Sequence, residues 1–302
     1  MRNKQNTWLI VATALLLLGA ILFVSVMTAY RWDFTKLNTE DHETNTHQIN
    51  ETFNDISVHT DTADIRLLPS EDGTCKVVCK EAVNRKHAVS VTDGKLTVRM
   101  IDKRKWYEHI GIGFGSTSVT VYLPQTQYSS LSVHTDTGDI TVPKEFTLKT
   151  LDVSGSTGNV ISHALITERV SVTVSTGKVT LTNANCQGEI SIVVSTGDAY
   201  LQNVTCQNLK SNGSTGDLTL QNVIAKGNFT LTRDTGDIAF DACDASEISV
   251  ETDTGDVTGT LLSPMAFTAS TDTGKVIIPE SSTGGGICKI RTDTGDIRIS
   301  IA

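Results

Sequence analysis

From residue 131 to the C-terminus, apolar side chains recur in a short fixed pattern. In most copies they fall seven and five residues before a glycine, as with Ile190 and Ile192 or Ile248 and Val250. They resume two residues after it and usually four after it, as with Leu218 and Leu220. Alternation with period two is the mark of a strand with one buried face. The glycine interrupts that alternation, so each copy predicts a strand, a corner and a second strand. The corners are Thr137-Gly138, Thr157-Gly158, Thr176-Gly177, Thr196-Gly197, Thr215-Gly216, Thr235-Gly236, Thr254-Gly255, Thr273-Gly274 and Thr294-Gly295. Successive glycines are 19 to 21 residues apart. A degenerate copy, "ISVHTDTADI", carries Ala63 in the glycine position. Strand parity places the corner threonine on the inward face, and glycine suits the corner because it reaches positive φ without a Cβ clash.

A unit of this length cannot bury its apolar face alone; stacked on its neighbours it forms a continuous core. The fold class expected is therefore all-β: a parallel β-solenoid of nine to ten coils of about 20 residues each. Nine coils at about 4.8 Å would give a core of roughly 43 Å. Residues 71–125 interrupt the repeat with "CKVVCKE", "HAVSVTDGKLTVRM" and "STSVTVYLP", read as strands with a hairpin turn at Asp93-Gly94. They predict a small antiparallel insert that caps the end nearest the N-terminus. The degenerate coil at 56–68 should stack on the first regular one.

The N-terminal pattern is different. Trp8 to Tyr30 contains no charged residue, and a bilayer-spanning helix needs roughly 20 apolar residues. Arg2 and Lys4 precede it, as a cytoplasmic N-terminus requires, and aromatic residues flank both ends. The run exceeds a signal-peptide core, and Met27 sits where a cleavage site ending at Ala29 needs a small residue. The reading is an uncleaved single-pass anchor at the cell membrane, with the C-terminal domain outside. The domains expected are a cytoplasmic tail (1–7), the transmembrane helix (8–30), a polar stalk (31–52), a degenerate coil with its β cap (53–125), and the repeats (126–302).

Composition agrees with many short strands and tight turns: 302 residues, 5% aromatic, with 23 glycines. Charge is uneven. The chain is −9 overall, yet residues 75–105 carry nine Lys or Arg against three acidic residues. That segment, ending in "KRKWYEH", could meet anionic lipid or wall polymer.

Candidate chemistry is sparse. Asp136-Thr137-Gly138 matches the aspartic-protease signature, but that catalysis needs two aspartates face to face across a cleft. Here five such triplets recur in register, and serine replaces the aspartate at four other corners. A residue that can be exchanged while the bend stays is a turn residue. After the glycines, Asp198, Asp217, Asp237 and Asp256 would form a row near 4.8 Å apart, which offers oxygen ligands to calcium. Lys178 and Lys275 in the same row oppose a cation, and Asp is also a common turn former. Cys186 and Cys206 share one repeat position, filled by Ala225 and Ala245 in the next coils. That slot is either a disulfide or a column of small inward residues. Cys75 and Cys79 would be roughly 13 Å apart on a regular strand, too far to bridge. His59 and His134 take equivalent outward positions in coils expected to stack. Neither Ser/His/Asp nor Cys/His order is readable, Gly111-x-Gly113-x-Gly115 lacks dinucleotide spacing, and zinc spacing is absent. No enzyme activity, cofactor or nucleic-acid partner is expected.

The repeated "[S/D]-T-G-[D/K]-[I/V/L]", "VHTDTADIRLLPSEDG", the "VTDGKLTV" hairpin and "VTVYLP" resemble the bacterial putative-adhesin β-strand-repeat family over residues 53–301. The resemblance implies a surface-associated β-solenoid, common in Gram-positive bacteria, without established catalytic residues. The expected function is a non-enzymatic, membrane-anchored surface rod for adhesion or partner binding. An envelope-stress regulator acting through a membrane partner is the alternative, and a polysaccharide-active β-helix enzyme a further one. Partners expected are the cell membrane, an envelope glycan or anionic polymer, and a protein or second copy at the C-terminal β edge. That edge follows from "DIRISIA", which ends the chain on a strand.

Overall fold

A computed structural model describes residues 2–33, 41–104, 116–282 and 285–302. Helix α1 (Arg2–Ala29) contains the apolar run Trp8–Ala29, of mean hydropathy 2.8, long and apolar enough to cross a membrane. Among the described residues every other element is a β-strand. Seven strands come first: β1 (His42–Ile49), β2 (Asp55–Thr62), β3 (Asp64–Pro69), β4 (Cys75–Ala82), β5 (Arg85–Thr92), β6 (Lys95–Asp102) and β7 (Ser118–Leu123). Then each repeat contributes a first strand and a second strand of equal or shorter length. They run as β8 (Gln127–Thr137) and β9 (Ile140–Val142), β10 (Thr147–Thr157) and β11 (Val160–Ser162), β12 (Leu165–Thr176) and β13 (Val179–Thr182). Next come β14 (Glu189–Thr196) and β15 (Ala199–Cys206), β16 (Asn208–Thr215) and β17 (Leu218–Ala225), β18 (Asn228–Thr235) and β19 (Ile238–Cys243). The last are β20 (Glu247–Thr254) and β21 (Val257–Leu261), β22 (Met265–Thr273) and β23 (Val276–Ile277), β24 (Gly286–Thr294) and β25 (Ile297–Ile301).

The repeats form the parallel solenoid. Equivalent residues stack directly, for example Val153 on Val133 and Val172 on Val153. The degenerate coil β2–β3 lies against β8–β9, with His59 on His134 and Ile65 on Ile140. Inward side chains make one continuous core from Ile56 to Ile299. The stack holds about eight complete turns rather than nine to ten. The degenerate coil leads into the cap, and in the coil at the far end the second strand, β23, has two residues.

Two further corrections concern the ends. Residues 42–49, expected within the polar stalk, form β1, which pairs antiparallel with β4 along its whole length. Glu43, Asn45, His47 and Ile49 alternate onto one face of the sheet and are half-buried; polar identities hide the period from a hydropathy reading. β4 also pairs antiparallel with β7, and β5 with β6, while β6 and β7 continue the stack below β2 and β3.

At the other end the chain order and the stacking order part. β24–β25 lies between β20–β21 and β22–β23, so the last segment of the chain is an interior coil. The expected open edge at the C-terminus therefore belongs chiefly to the penultimate repeat. Charge gives a reason. Lys289 and Arg291 of β24 reach Glu247 and Glu251 of β20 at 4.0 and 3.9 Å. Thr268 and Ser270, the residues of β22 in the same register, carry no charge to offer.

Candidate binding surface

The corners are built by two constraints on one glycine. Gly216 has φ +124° and Gly255 φ +158°, a region closed to L side chains. A Cβ on Gly216 would also lie 2.3 Å from the carbonyl oxygen of Gly197 in the coil below. Ala63 is tolerated in the degenerate coil because its φ is not positive.

The corner threonines are a correction to the parity reading. All nine are exposed, as is the residue before each except half-buried Asp293. The inward column ends three residues before the glycine, at Thr135, Val174 or Thr252. Two successive residues then face out because the strand arcs away from the core before the bend.

The row of acids after the glycines is a hydrogen-bonded ladder. Asp237 N–H donates to Asp217 Oδ1 (2.9 Å), Asp256 N–H to Asp237 Oδ1 (2.8 Å) and Asp296 N–H to Asp256 Oδ1 (2.7 Å). Asp217 N–H donates to Asp198 Oδ1 (3.2 Å), so each of the four candidate cation ligands already has one oxygen engaged. The position demands an acceptor for the next coil, which Asp and Asn159 supply and lysine cannot. Lys275 sits harmlessly in the last coil of the stack, where no N–H follows; its own N–H donates to Asp296 Oδ1 at 2.7 Å. Lys178 breaks the ladder in the middle.

The protease-like aspartates, Asp136 among them, lie along one edge of the rod rather than across a cleft. All six cysteines are free and buried; Cys206 stacks on Ala225, and burial pushes its thiol up to about 12. His59 and His134 stack with ring centres 4.6 Å apart, and His134 Nδ1 contacts Ser154 Oγ at 2.8 Å. Lys105 and the glycine loop at 111–115 lie outside the described residues. Of the basic segment before them, Lys86 pairs with Glu43 (2.5 Å) and Arg104 with Asp102 (2.6 Å).

Three arrangements went unread in the sequence. In the cap, Glu81 Oε2 accepts from the His87 backbone N–H and lies 2.6 Å from His87 Nδ1, while His87 Nε2 is 3.0 Å from Thr60 Oγ1. Asn45 donates to Glu81 Oε1 at 2.8 Å, and Cys79 completes a buried group with metal-ligand donors within 4.8 Å of one another. The acid–imidazole–hydroxyl order resembles a nucleophilic triad, but Thr60 has no exposed surface and every polar atom of Glu81 and His87 is engaged. The group is a clamp joining β1, β2, β4 and β5. Second, Arg233 is 1% exposed in the inward column. Gly213 opposite leaves it room, Ser211 Oγ accepts from it at 3.0 Å, and its Nε has no partner. Burial pulls its guanidinium down to about 10. Third, Asn183, Asn203 and Asn222 form a second corner with φ of 52–62°, the left-handed region asparagine tolerates. Their recurrence at 19- and 20-residue intervals was the signal available in the sequence.

The outer face of the first strand of each coil carries polar side chains in register. One column along the rod runs Ser57, Ser132, Asp152, Ser171, Ser191, Lys210, Thr230, Ser249 and Lys289. A cavity of about 450 Å³ opens beside the cap, where Phe53 stacks on Tyr128 at 6.0 Å.

Residues 53–300 match the Toastrack DUF4097 family. The chain belongs to that family. No curated relative matches it. Solved structures resemble this Toastrack chain at low identity. A putative adhesin from Parabacteroides merdae ATCC 43184 is 11% identical with a TM-score of 0.51; the match covers 87% of this chain and 98% of that one. A putative adhesin from Bacteroides fragilis NCTC 9343 is 16% identical with a TM-score of 0.47, over the same shares. A putative lipid binding protein from Parabacteroides distasonis ATCC 8503 is 13% identical with a TM-score of 0.43, over 86% and 98%.

Proposed function

We infer that this chain is a membrane-anchored rod at the outer face of a bacterial membrane that binds an extended envelope polymer and performs no chemistry. The observation that carries this reading is the in-register column of outward polar side chains on the first strands of the coils, five of its nine members serine. Its repeat of about 4.8 Å along the stack presents hydrogen-bonding side chains at regular intervals, which suits a polymer lying along the rod rather than a small molecule in a pocket. The apolar helix ahead of the rod fits an anchor, and names given to structures of like architecture fit adhesion.

The test is retention on a glycan array and on isolated envelope material, with a chain beginning at residue 41 so that β1 stays paired with β4. Retention that is lost when Ser171 and Ser191 are both changed to Glu supports the reading. A folded chain retained by no envelope polymer overturns it. Anchoring is checked separately: the full chain should stay with membranes through an alkaline wash.

A further inference from the structure

The two ends of the rod are finished differently. The N-terminal end is closed by the antiparallel cap. The distal end is the coil β22–β23, and its core is uncovered. The second residue after the corner glycine is buried in all eight other regular coils, from Ile140 to Ile297, at no more than 3% exposure. In the terminal coil that residue is Val276, at 40%, with Ile277 at 56% beside it. Phe267, Ala269 and Ile278 pack against the core yet are only partly buried. Among the described residues β22 has a strand neighbour on one side only, β24. Ser281 and Ser282 bond to Phe267 N–H and Met265 C=O at the start of the free edge. From Thr268 to Thr273 no described strand pairs with it.

We propose that this end is a self-association surface, and that its occupant is the terminal coil of a second copy of this chain. The proposal rests on the surface-rod reading and specifies how two such rods meet. A free strand edge together with an uncovered core calls for another β-coil of the same cross-section, and a second terminal coil supplies one when turned about a two-fold axis, its edge pairing antiparallel. Charge agrees. The chain is −9 overall, so most faces of two copies repel, whereas Met265–Ile277 carries one Asp and one Lys and is neutral. The edge strand also lacks the usual protections against pairing: β22 contains no lysine and no proline. Joined at this end, two rods point their caps, and the chain leading to each α1, in opposite directions. Such a contact links two membranes rather than two neighbours in one.

The experiment uses the full chain, in detergent and in liposomes. The wild type should be dimeric by light scattering at high micromolar concentration, and its proteoliposomes should cluster. V276K/I277K places like charges on the uncovered end, and should weaken association by about 100-fold and abolish clustering while circular dichroism stays native. Thr268→Lys, at an exposed position of the same edge, serves if the double variant fails to fold. A monomeric wild type, or a dimer that survives these substitutions in a folded chain, overturns the proposal. Glycan retention by a strictly monomeric chain would remove the end contact and leave the surface-rod reading intact; a dimer that clusters liposomes but holds no polymer would do the reverse.

Discussion

Intercalation of the last coil can be tested by covalent capture. In the observed stack Ser249 of β20 faces Lys289 of β24, and Thr268 of β22 lies one coil further on. Directly stacked positions are about 4.8 Å apart and positions two coils apart about 9.6 Å. Disulfides need Cα separations of roughly 4.4–6.8 Å, so S249C/K289C should oxidise and S249C/T268C should not. Coils stacked in chain order would give the opposite result. The magnitude is set by the loop closed. Residues 249 to 289 enclose about 41 residues, for which the chain-entropy relation gives about 4 kcal/mol of stabilisation. Replacing Lys289 removes one exposed ion pair with Glu247, worth at most about 1 kcal/mol. A net gain of about 3 kcal/mol should remain, read as a higher urea midpoint that collapses on adding reductant. The native thiols are buried and do not compete in the folded protein. Efficient closure of S249C/T268C, with S249C/K289C left as free thiols, would refute the intercalated order and the end contact built on it.

Other expectations follow from the corners and the core. Gly216→Ala should cost about 3 kcal/mol or more, since it combines a forbidden φ with a Cβ 2.3 Å from a carbonyl oxygen; Ala63→Gly should cost about 1 kcal/mol or less, and urea unfolding compares the two. Asp217→Ala removes the acceptor for Asp237 N–H and should lower stability by about 1 kcal/mol, while Lys275→Ala, at the end of the ladder, should change it by less than about 0.5 kcal/mol. Equal losses at both positions would contradict the ladder. A guanidinium drawn down from 12.5 to about 10 carries a penalty near 3 kcal/mol on its charged form, so Arg233→Met should raise stability by about 1–2 kcal/mol after the bond to Ser211 is lost; a fall in the urea midpoint would show that the buried charge is not a burden.

The functional surface was only partly legible. The outward column follows from the repeat, because parity assigns outward positions and stacking aligns them, although Asp152, Lys210, Thr230 and Lys289 interrupt its serines. The Glu81–His87–Thr60 clamp did not follow from anything local. Its members lie 6 and 27 residues apart, on strands of differing pairing sense, and only the cap's antiparallel folding brings them together.

By itself the sequence determined that this chain is a solenoid. Period-two alternation broken by a glycine every 19 to 21 residues admits one arrangement of strand and corner, and identical units bury their apolar faces only by stacking. It also determined why glycine recurs at each corner. It did not determine the order of the coils. Units this alike stack on one another with nearly equal burial, so local pattern cannot choose which of the last two lies outside. That choice fell to contacts between residues 40 to 42 positions apart: Lys289 and Arg291 against Glu247 and Glu251, and Asp256 offering its oxygen to the N–H of Asp296. Those contacts exist only once the coils are stacked, and they leave the uncovered end of the rod to residues 265–277.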